Sequence, residues 1–366
     1  MPSPRFVRSL AVLGGLLLPS AAYAHGDEVH PGQGFWSLWH WSPEIIAALL
    51  LAGWVYARGL GGGRRPSAWR IASFYAALIA FFVALISPVE RLADHIFAVH
   101  QVEHMLLRTI GPLFLFLAIP QGALMRGLPK GLRSSLVGPV ARTGWLHKLL
   151  QFLRLPLVAT LLFVGTSWVW MVPEWHDLAI LNEAVHYSWH ISLVVTGLLF
   201  FSVLLDPHPA PAGPGIGTRM AMFVAAAFGN ISLGATLSFK TQVLYTAYDH
   251  LGRMWDVAPI TDERIGGLVM WIPGCMMFGL AAGIMLFRFG EEEKRTVERR
   301  QREGRMTARD PAATKANNRR LGWSLAGFAA MVLMLAVAVV SFLIQMEHSA
   351  APDAVAHVGA AEHQAG

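Results

Sequence analysis

The chain alternates long apolar runs with short polar stretches. After a brief apolar stretch at the N-terminus, eight runs approach the roughly 20 residues that a helix needs to cross a bilayer. The predicted spans are 40–58, 69–88, 96–119, 155–172, 184–205, 218–239, 265–289 and 321–345. The pattern therefore predicts an all-α fold, a polytopic transmembrane helix bundle of about eight spans.

The N-terminal stretch has the pattern of a signal peptide. Arg5 and Arg8 precede an apolar core, and an Ala-Tyr-Ala motif ending at Ala24 fits a cleavage site. Cleavage there would place a free amine beside an imidazole at His25, which makes His25 a weak candidate metal ligand.

Composition and charge both favour a membrane protein. Hydrophobic residues make up 54% of the chain and charged residues only 14%. Most of the 29 Lys and Arg residues fall in loops after odd-numbered spans, and such basic loops stay in the cytoplasm. We therefore predict a multi-pass protein of the plasma (inner) membrane with both mature termini in the periplasm. The net charge of +6 does not indicate nucleic-acid binding, because membrane topology already explains where the basic residues lie.

This topology divides the chain into six predicted segments. They are a signal peptide (1–24), a periplasmic His-containing segment (25–40), a transmembrane domain (41–290), a charged cytoplasmic loop (291–320), an additional transmembrane helix (321–346) and a periplasmic tail (347–366).

Two histidine pairs stand near the starts of the third and fifth spans. His100 and His104 form the first pair, and His186 and His190 form the second. The i,i+4 spacing puts both imidazoles of a pair on one helix face. Both pairs descend to similar depths from the outer side, so they can meet if the two helices are neighbours. The pattern predicts a metal or cofactor site, with interhelical hydrogen bonds or a proton relay as the alternative.

Further polar residues lie close enough in sequence to serve this site. Glu103 and Glu183 are candidate acceptors for the ring N–H groups or proton carriers. Arg108 lies one turn below His104, where it could neutralise a carboxylate or hold an anion. Asp262 opens the seventh span, where the helix N-terminus favours negative charge.

The identity of the metal follows less directly from the sequence. Imidazole suits copper, zinc and iron. Met171, Met270 and the single cysteine, Cys275, are soft donors that tilt the prediction toward Cu(I), although such residues usually serve packing. They remain weak candidates.

Three stretches carry a resemblance to a known family. SPVERLADHIFAVHQVEHMLLRTIGPLFLFLAIP (87–120) has a His-x-x-x-His before a Pro-containing helix. WVWMVPEWHDLAILNEAVHYSWHISLVVTGLLFFSVLLDP (168–207) has a Pro, an outer-loop His and a His-bearing span. DERIGGLVMWIPG (262–274) has an Asp followed by Met-Trp-x-Pro-Gly. Together these blocks resemble the CtaG family (caa3-type), membrane proteins required to assemble cytochrome c oxidase.

The resemblance implies a non-enzymatic assembly factor that binds copper and assists its delivery to the haem-copper centre of the oxidase. Oxidase subunits are the implied partners, with periplasmic copper chaperones as further candidates and membrane lipid as the surroundings. The residues that match family blocks are His100, His104, His176, His190 and Asp262. His186 is included on its spacing.

Three other functions stay open at this point. A haem-binding electron carrier would use one histidine from each pair as axial ligands. A copper transport or resistance protein would need a polar route to the cytoplasm, and the inner half offers few ligands beyond Arg108. An assembly scaffold without metal would use the histidines as hydrogen-bonding groups.

Overall fold

The computed structural model describes residues 38–62, 65–133, 144–208, 212–255 and 257–302. The predicted signal peptide, His25, the eighth span and the C-terminal tail lie outside these residues. The chain divides into two compact units, Met1–Phe287 and Arg288–Gly366. All of the contacts discussed below belong to the first unit.

The described residues form helices and no strand, which confirms the all-α class for this part of the chain. In chain order the helices are α1 (Pro43–Gly59), α2 (Ala68–Leu85), α3 (Pro88–Ala93), α4 (Phe97–Met105), α5 (Gly111–Ala118), α6 (Gln121–Gly127), α7 (Lys130–Leu132), α8 (Gly144–Leu153), α9 (Pro156–Trp170), α10 (Pro173–Leu181), α11 (Glu183–Leu204), α12 (Ile216–Phe239), α13 (Ala247–Leu251) and α14 (Pro259–Arg302). A π-helical turn, Leu106–Ile110, joins α4 to α5.

Four helices within the described residues are long and apolar enough to cross a membrane. They are Ala68–Leu85, Glu183–Leu204, Ile216–Phe239 and the Pro259–Phe287 part of α14. The number rises to six if each of two bent pairs counts as one span: Phe97–Ala118 with Gln121–Gly127, and His147–Leu153 with Pro156–Trp170. The prediction of several apolar spans is therefore confirmed, whereas the count of eight is not. The first predicted span corresponds to α1, which has 17 residues and is not among the six.

Proline and backbone conformation explain several helix boundaries. Pro88, Pro156 and Pro173 stand in the first turns of α3, α9 and α10, where a missing N–H removes no helical hydrogen bond. Ile119 ends α5 in a left-handed conformation with a φ of 49°. The short helices α3 and α10 directly precede, in the chain, the helices α4 and α11 that carry the histidine pairs.

A glycine sets how closely the two histidine-bearing helices approach each other. A Cβ added at Gly197 in α11 would clash with the backbone carbonyl of Arg108, in the π-helical turn after α4. Only a residue without a side chain permits this contact. The close packing brings the first turns of α4 and α11 together at one end of the bundle.

Two aromatic-rich clusters fill the bundle around this contact. One contains Phe163, Phe200 and Phe278, and the Phe163 and Phe200 rings stack 4.3 Å apart. The other contains Phe97 and Trp189 and surrounds the histidines. The polar side chains of α4 and α11 thus lie within an otherwise apolar core.

Candidate metal centre

Four side chains from α4 and α11 converge at the end of the bundle. The ligand atoms of His100, Glu103, His186 and His190 all lie within 4.8 Å of one another. Nε2 of His186 lies 3.1 Å from Nε2 of His190, and the latter lies 3.5 Å from Oε1 of Glu103. We call these four residues the His–Glu cluster.

Glu103 is the unusual member of the His–Glu cluster. Its side chain is 0% exposed, and neither carboxylate oxygen accepts a hydrogen bond from any described residue. Nε2 of His100 is also buried without a hydrogen bond. Burying a carboxylate without a compensating partner is very costly, so buried charges are normally paired or bound to a metal. Three imidazoles and one carboxylate form a donor set that a divalent transition metal would satisfy.

A chain of hydrogen bonds fixes the tautomer of His100. Nδ1 of His176 lies 3.2 Å from the carbonyl of Trp170, which can only accept, so this nitrogen donates. Nε2 of His176 then accepts from the Tyr248 hydroxyl at 2.9 Å, and Nδ1 of His100 donates to the same hydroxyl at 2.7 Å. The lone pair of His100 is therefore on Nε2, the nitrogen that has no hydrogen bond. Such an outer hydrogen bond is the usual way in which a metal-binding imidazole is oriented.

Comparison with known proteins assigns the chain to a family. The family model described as cytochrome c oxidase caa3 assembly factor (Caa3_CtaG) matches residues 48–291. The chain belongs to this family. The expected resemblance is thereby confirmed, and the match includes every member of the His–Glu cluster.

Two mycobacterial proteins are also similar to this CtaG-family chain. Both are named as uncharacterized proteins, one from Mycobacterium bovis and one from Mycobacterium tuberculosis, and each is 25% identical over 276 residues. The match covers 73% of this chain but 41% of each relative, so the chain spans about two fifths of the length of the curated relatives it matches. No solved structure matches the chain.

Two histidines predicted for the site lie beside the His–Glu cluster and not within it. The His104 ring centroid is 4.1 Å from that of His100 and 4.3 Å from that of Trp189. His176 is completely buried and contacts the cluster through Tyr248. Burial lowers the pKa of His176 to about 3, so it is neutral at physiological pH. Its position suits it to orient His100.

The predicted charged residues occupy different places in this CtaG-family structure. Asp262 accepts hydrogen bonds from the backbone N–H groups of Phe97 and Ala98, both at 2.9 Å. It therefore caps the start of α4 and acts on the cluster only through that helix. Arg108 donates to the Phe163 carbonyl at 2.9 Å and lies 3.8 Å from the centroid of the Phe163 ring.

The remaining candidates lie outside the four-residue group. Glu183 is partly exposed at the first residue of α11. Met171 and Met270 line a cavity beside the cluster, and the sulfur of Met171 lies 3.7 Å from the Tyr245 hydroxyl. Cys275 is partly buried. Neither Glu183 nor Cys275 is in the group of imidazole, carboxylate and thiol ligand atoms found among the described residues.

Sequence reasoning missed three residues that shape the site. Tyr248 comes from a loop helix, α13, with no spacing that connects it to the histidines. Trp189 packs its ring 4.9 Å from the ring of His100 and lies between the two histidines of α11 in sequence. Oδ1 of Asp94 lies 4.0 Å from Nδ1 of His186, where it can orient that ring. The only available sequence signal was the position of Trp189 within the second pair.

Proposed function

We propose that this CtaG-family protein binds copper at the His–Glu cluster and assists its delivery to the haem-copper centre of cytochrome c oxidase. The observation that carries the proposal is the completely buried Glu103 carboxylate, which accepts no hydrogen bond from a described residue and faces three imidazoles. A bound cation would supply the missing partner.

The donor set bears on the redox state of the copper. Three nitrogens and one oxygen suit Cu(II), and copper heads the affinity order for such divalent sites. Cu(I) prefers soft sulfur donors, and none of the four side chains in the cluster carries sulfur. We therefore propose Cu(II) as the bound state, which differs from the preference that the methionines alone suggested.

His186 offers the entry and exit route for the metal. Its side chain is 14% exposed, whereas those of Glu103 and His190 are 0% and 10% exposed. In the predicted orientation this side of the cluster faces the periplasm. Copper would arrive there, from a periplasmic copper chaperone or directly, and would leave toward an oxidase subunit.

The role that we propose is non-catalytic, and ligand exchange is the only chemistry that it requires. The chain would act as a multi-pass protein of the plasma membrane. The haem alternative is less compatible with the packing, because the His100 and His186 ring centroids are only 5.2 Å apart and Trp189 fills the adjoining space. A porphyrin between the helices would require them to separate.

Replacement of the cluster in the native host tests the function. We expect a strain carrying His100→Ala with His186→Ala to assemble little active oxidase, and the oxidase that forms to be depleted of copper. The matched control is His147→Ala with His208→Ala, two exposed histidines far from the cluster in sequence. Normal oxidase activity and copper content in the cluster variant would overturn the proposal.

A further inference from the structure

A cavity of about 30 Å³ lies beside the His–Glu cluster, between α4, the π-helical turn, α9, α11, α12 and α14. That is room for one or two water-sized particles. Gln101, His104, Arg108 and Trp189 contribute to its lining. Glu103 is not among the lining residues, so the cavity is separate from the proposed copper ligands.

Several hydrogen-bond donors around this cavity have no acceptor among the described residues. Nε of Arg108, Nε1 of Trp189 and Nε2 of Gln101 are all buried and have no hydrogen-bond partner among the described residues. The first two can only donate, and the Gln101 amide nitrogen also only donates. Nε2 of His104 and Oε1 of Gln101 are buried without a partner as well, and the Gln101 oxygen can only accept. A single acceptor in the cavity would satisfy several of these groups at once.

The charge around the cavity is positive, which also favours an anion. Among the described residues that line it, Arg108 alone carries a full charge at neutral pH, and no carboxylate is among them. The described ion pairs do not include Arg108, whose partners are the carbonyl and the ring of Phe163. A buried charge of this kind calls for a counter-ion, above all inside a membrane.

We propose that this cavity binds a small monovalent inorganic anion of halide size, held by Arg108, Gln101 and Trp189. A halide can accept hydrogen bonds from the three donors of Arg108, Gln101 and Trp189 at once, whereas a water molecule accepts only two. The volume excludes larger anions such as gluconate. The bound anion neutralises Arg108 and ties α4 to α11 through Gln101 and Trp189.

Thermal unfolding of the detergent-solubilised full-length protein tests the proposal. At matched ionic strength and with a chelator present, chloride or bromide should raise the Tm by about 2–4 °C relative to gluconate. Gln101→Leu and Arg108→Met should each abolish that difference. Gln151→Leu, at an exposed position on α8, should keep it.

Two further measurements keep the anion site distinct from the copper site. Glu103→Leu should lose copper and keep the halide-dependent Tm, so either site can fail alone. In crystals grown with bromide, an anomalous peak beside Arg108 would support the proposal. Equal Tm values in halide and gluconate, or two water molecules in the cavity without anomalous signal, would overturn it.

Discussion

Buried carboxylates at the same end of the bundle differ in their partners: Glu263 and Asp262 are hydrogen-bonded and paired with cations, whereas Glu103 is not hydrogen-bonded to any described residue. Glu263 is 0% exposed, accepts backbone hydrogen bonds from Leu244 and Tyr245 at 3.0 and 3.1 Å, and forms an ion pair with Lys240. Glu103 is equally buried and accepts none among the described residues. The contrast teaches that this fold can satisfy a buried acid from its own atoms. Where it does not, as at Glu103, we infer an external partner.

The neighbouring Asp262 strengthens the contrast. It is 2% exposed, caps α4 through two backbone N–H groups and forms an ion pair with Arg253. Arg253 in turn lies 3.6 Å from Glu263. This network fixes the start of the helix that carries His100 and Glu103. Asp262 and Glu263 therefore stabilise the fold, whereas Glu103 is available for binding.

The largest effect on stability should come from removing the charge of Glu263, which is hydrogen-bonded and ion-paired in the fold. We expect Glu263→Gln to lower the free energy of unfolding by about 3–5 kcal/mol, because it leaves the Lys240 ammonium buried without its partner. Thermal unfolding in detergent measures the change. The partly exposed Glu183→Gln is the control and should change stability by less than about 0.5 kcal/mol. A similar, small loss in both variants would remove the distinction between Glu263 and Glu103.

Replacement of Glu103, which has no hydrogen bond from a described residue, should not lower the stability of the metal-free protein. Glu103→Leu removes a buried carboxylate that has no hydrogen bond, so the metal-free protein should be equally stable or more stable. Copper affinity should fall by about 100-fold, equivalent to about 2.7 kcal/mol. Competition with a chelator measures the affinity. Clear destabilisation of the metal-free variant would show that Glu103 has a structural role.

The tyrosine between His100 and His176 should have an intermediate effect. Tyr248→Phe removes the hydroxyl that accepts the hydrogen bond from Nδ1 of His100, so the ring loses its orientation and copper affinity should fall by about 10-fold. Tyr75→Phe, with a partly exposed hydroxyl 3.5 Å from a carbonyl, is the matched control. Unchanged copper affinity in the Tyr248 variant would show that this hydroxyl does not contribute to copper binding.

The smallest expected effect is a pH dependence of stability that comes from Glu90 in α3. Oε2 of Glu90 lies 3.3 Å from Nδ1 of His40. Burial, with Asp94 nearby, raises the pKa of Glu90 to about 8. The folded protein therefore holds a proton that the unfolded chain releases above about pH 4.5. Stability should fall as pH rises from about 4.5 to 8, by about 1 kcal/mol because the side chain is one-quarter exposed.

Glu90→Gln tests this dependence with the pH profile of the Tm. The variant should lack the part of the decline that Glu90 contributes and should be the more stable protein at pH 8. Parallel profiles in the two proteins would show that Glu90 is not protonated in the fold.

Periodicity was enough to predict which helices carry the site. The i,i+4 spacing and matched depths of the two pairs led to α4 and α11, which do meet. Spacing did not determine which of Glu103 and His104 joins the His–Glu cluster, because both lie on the same side of α4 as His100 and both contact α11. That choice depends on the rotation of α4, which the Gly197 contact and the π-helical turn fix.

Long-range contacts were out of reach of the sequence pattern. The hydroxyl of Tyr248 reaches His100 across 148 residues, and Asp262 caps α4 across 164 residues. The sequence placed Asp262 at the start of its own helix, and nothing local indicated that it serves another. Tertiary packing decides such pairs, and periodic patterns contain no information about them.

Copper binding by the His–Glu cluster is tested most directly by the copper content of the purified, copper-exposed protein. It should be compared with a variant carrying Ala at His100, Glu103, His186 and His190, and with the His147→Ala, His208→Ala control. We expect about one copper per chain in the native and control proteins and almost none in the variant. Equal copper in all three proteins, or none in the native protein, would contradict it.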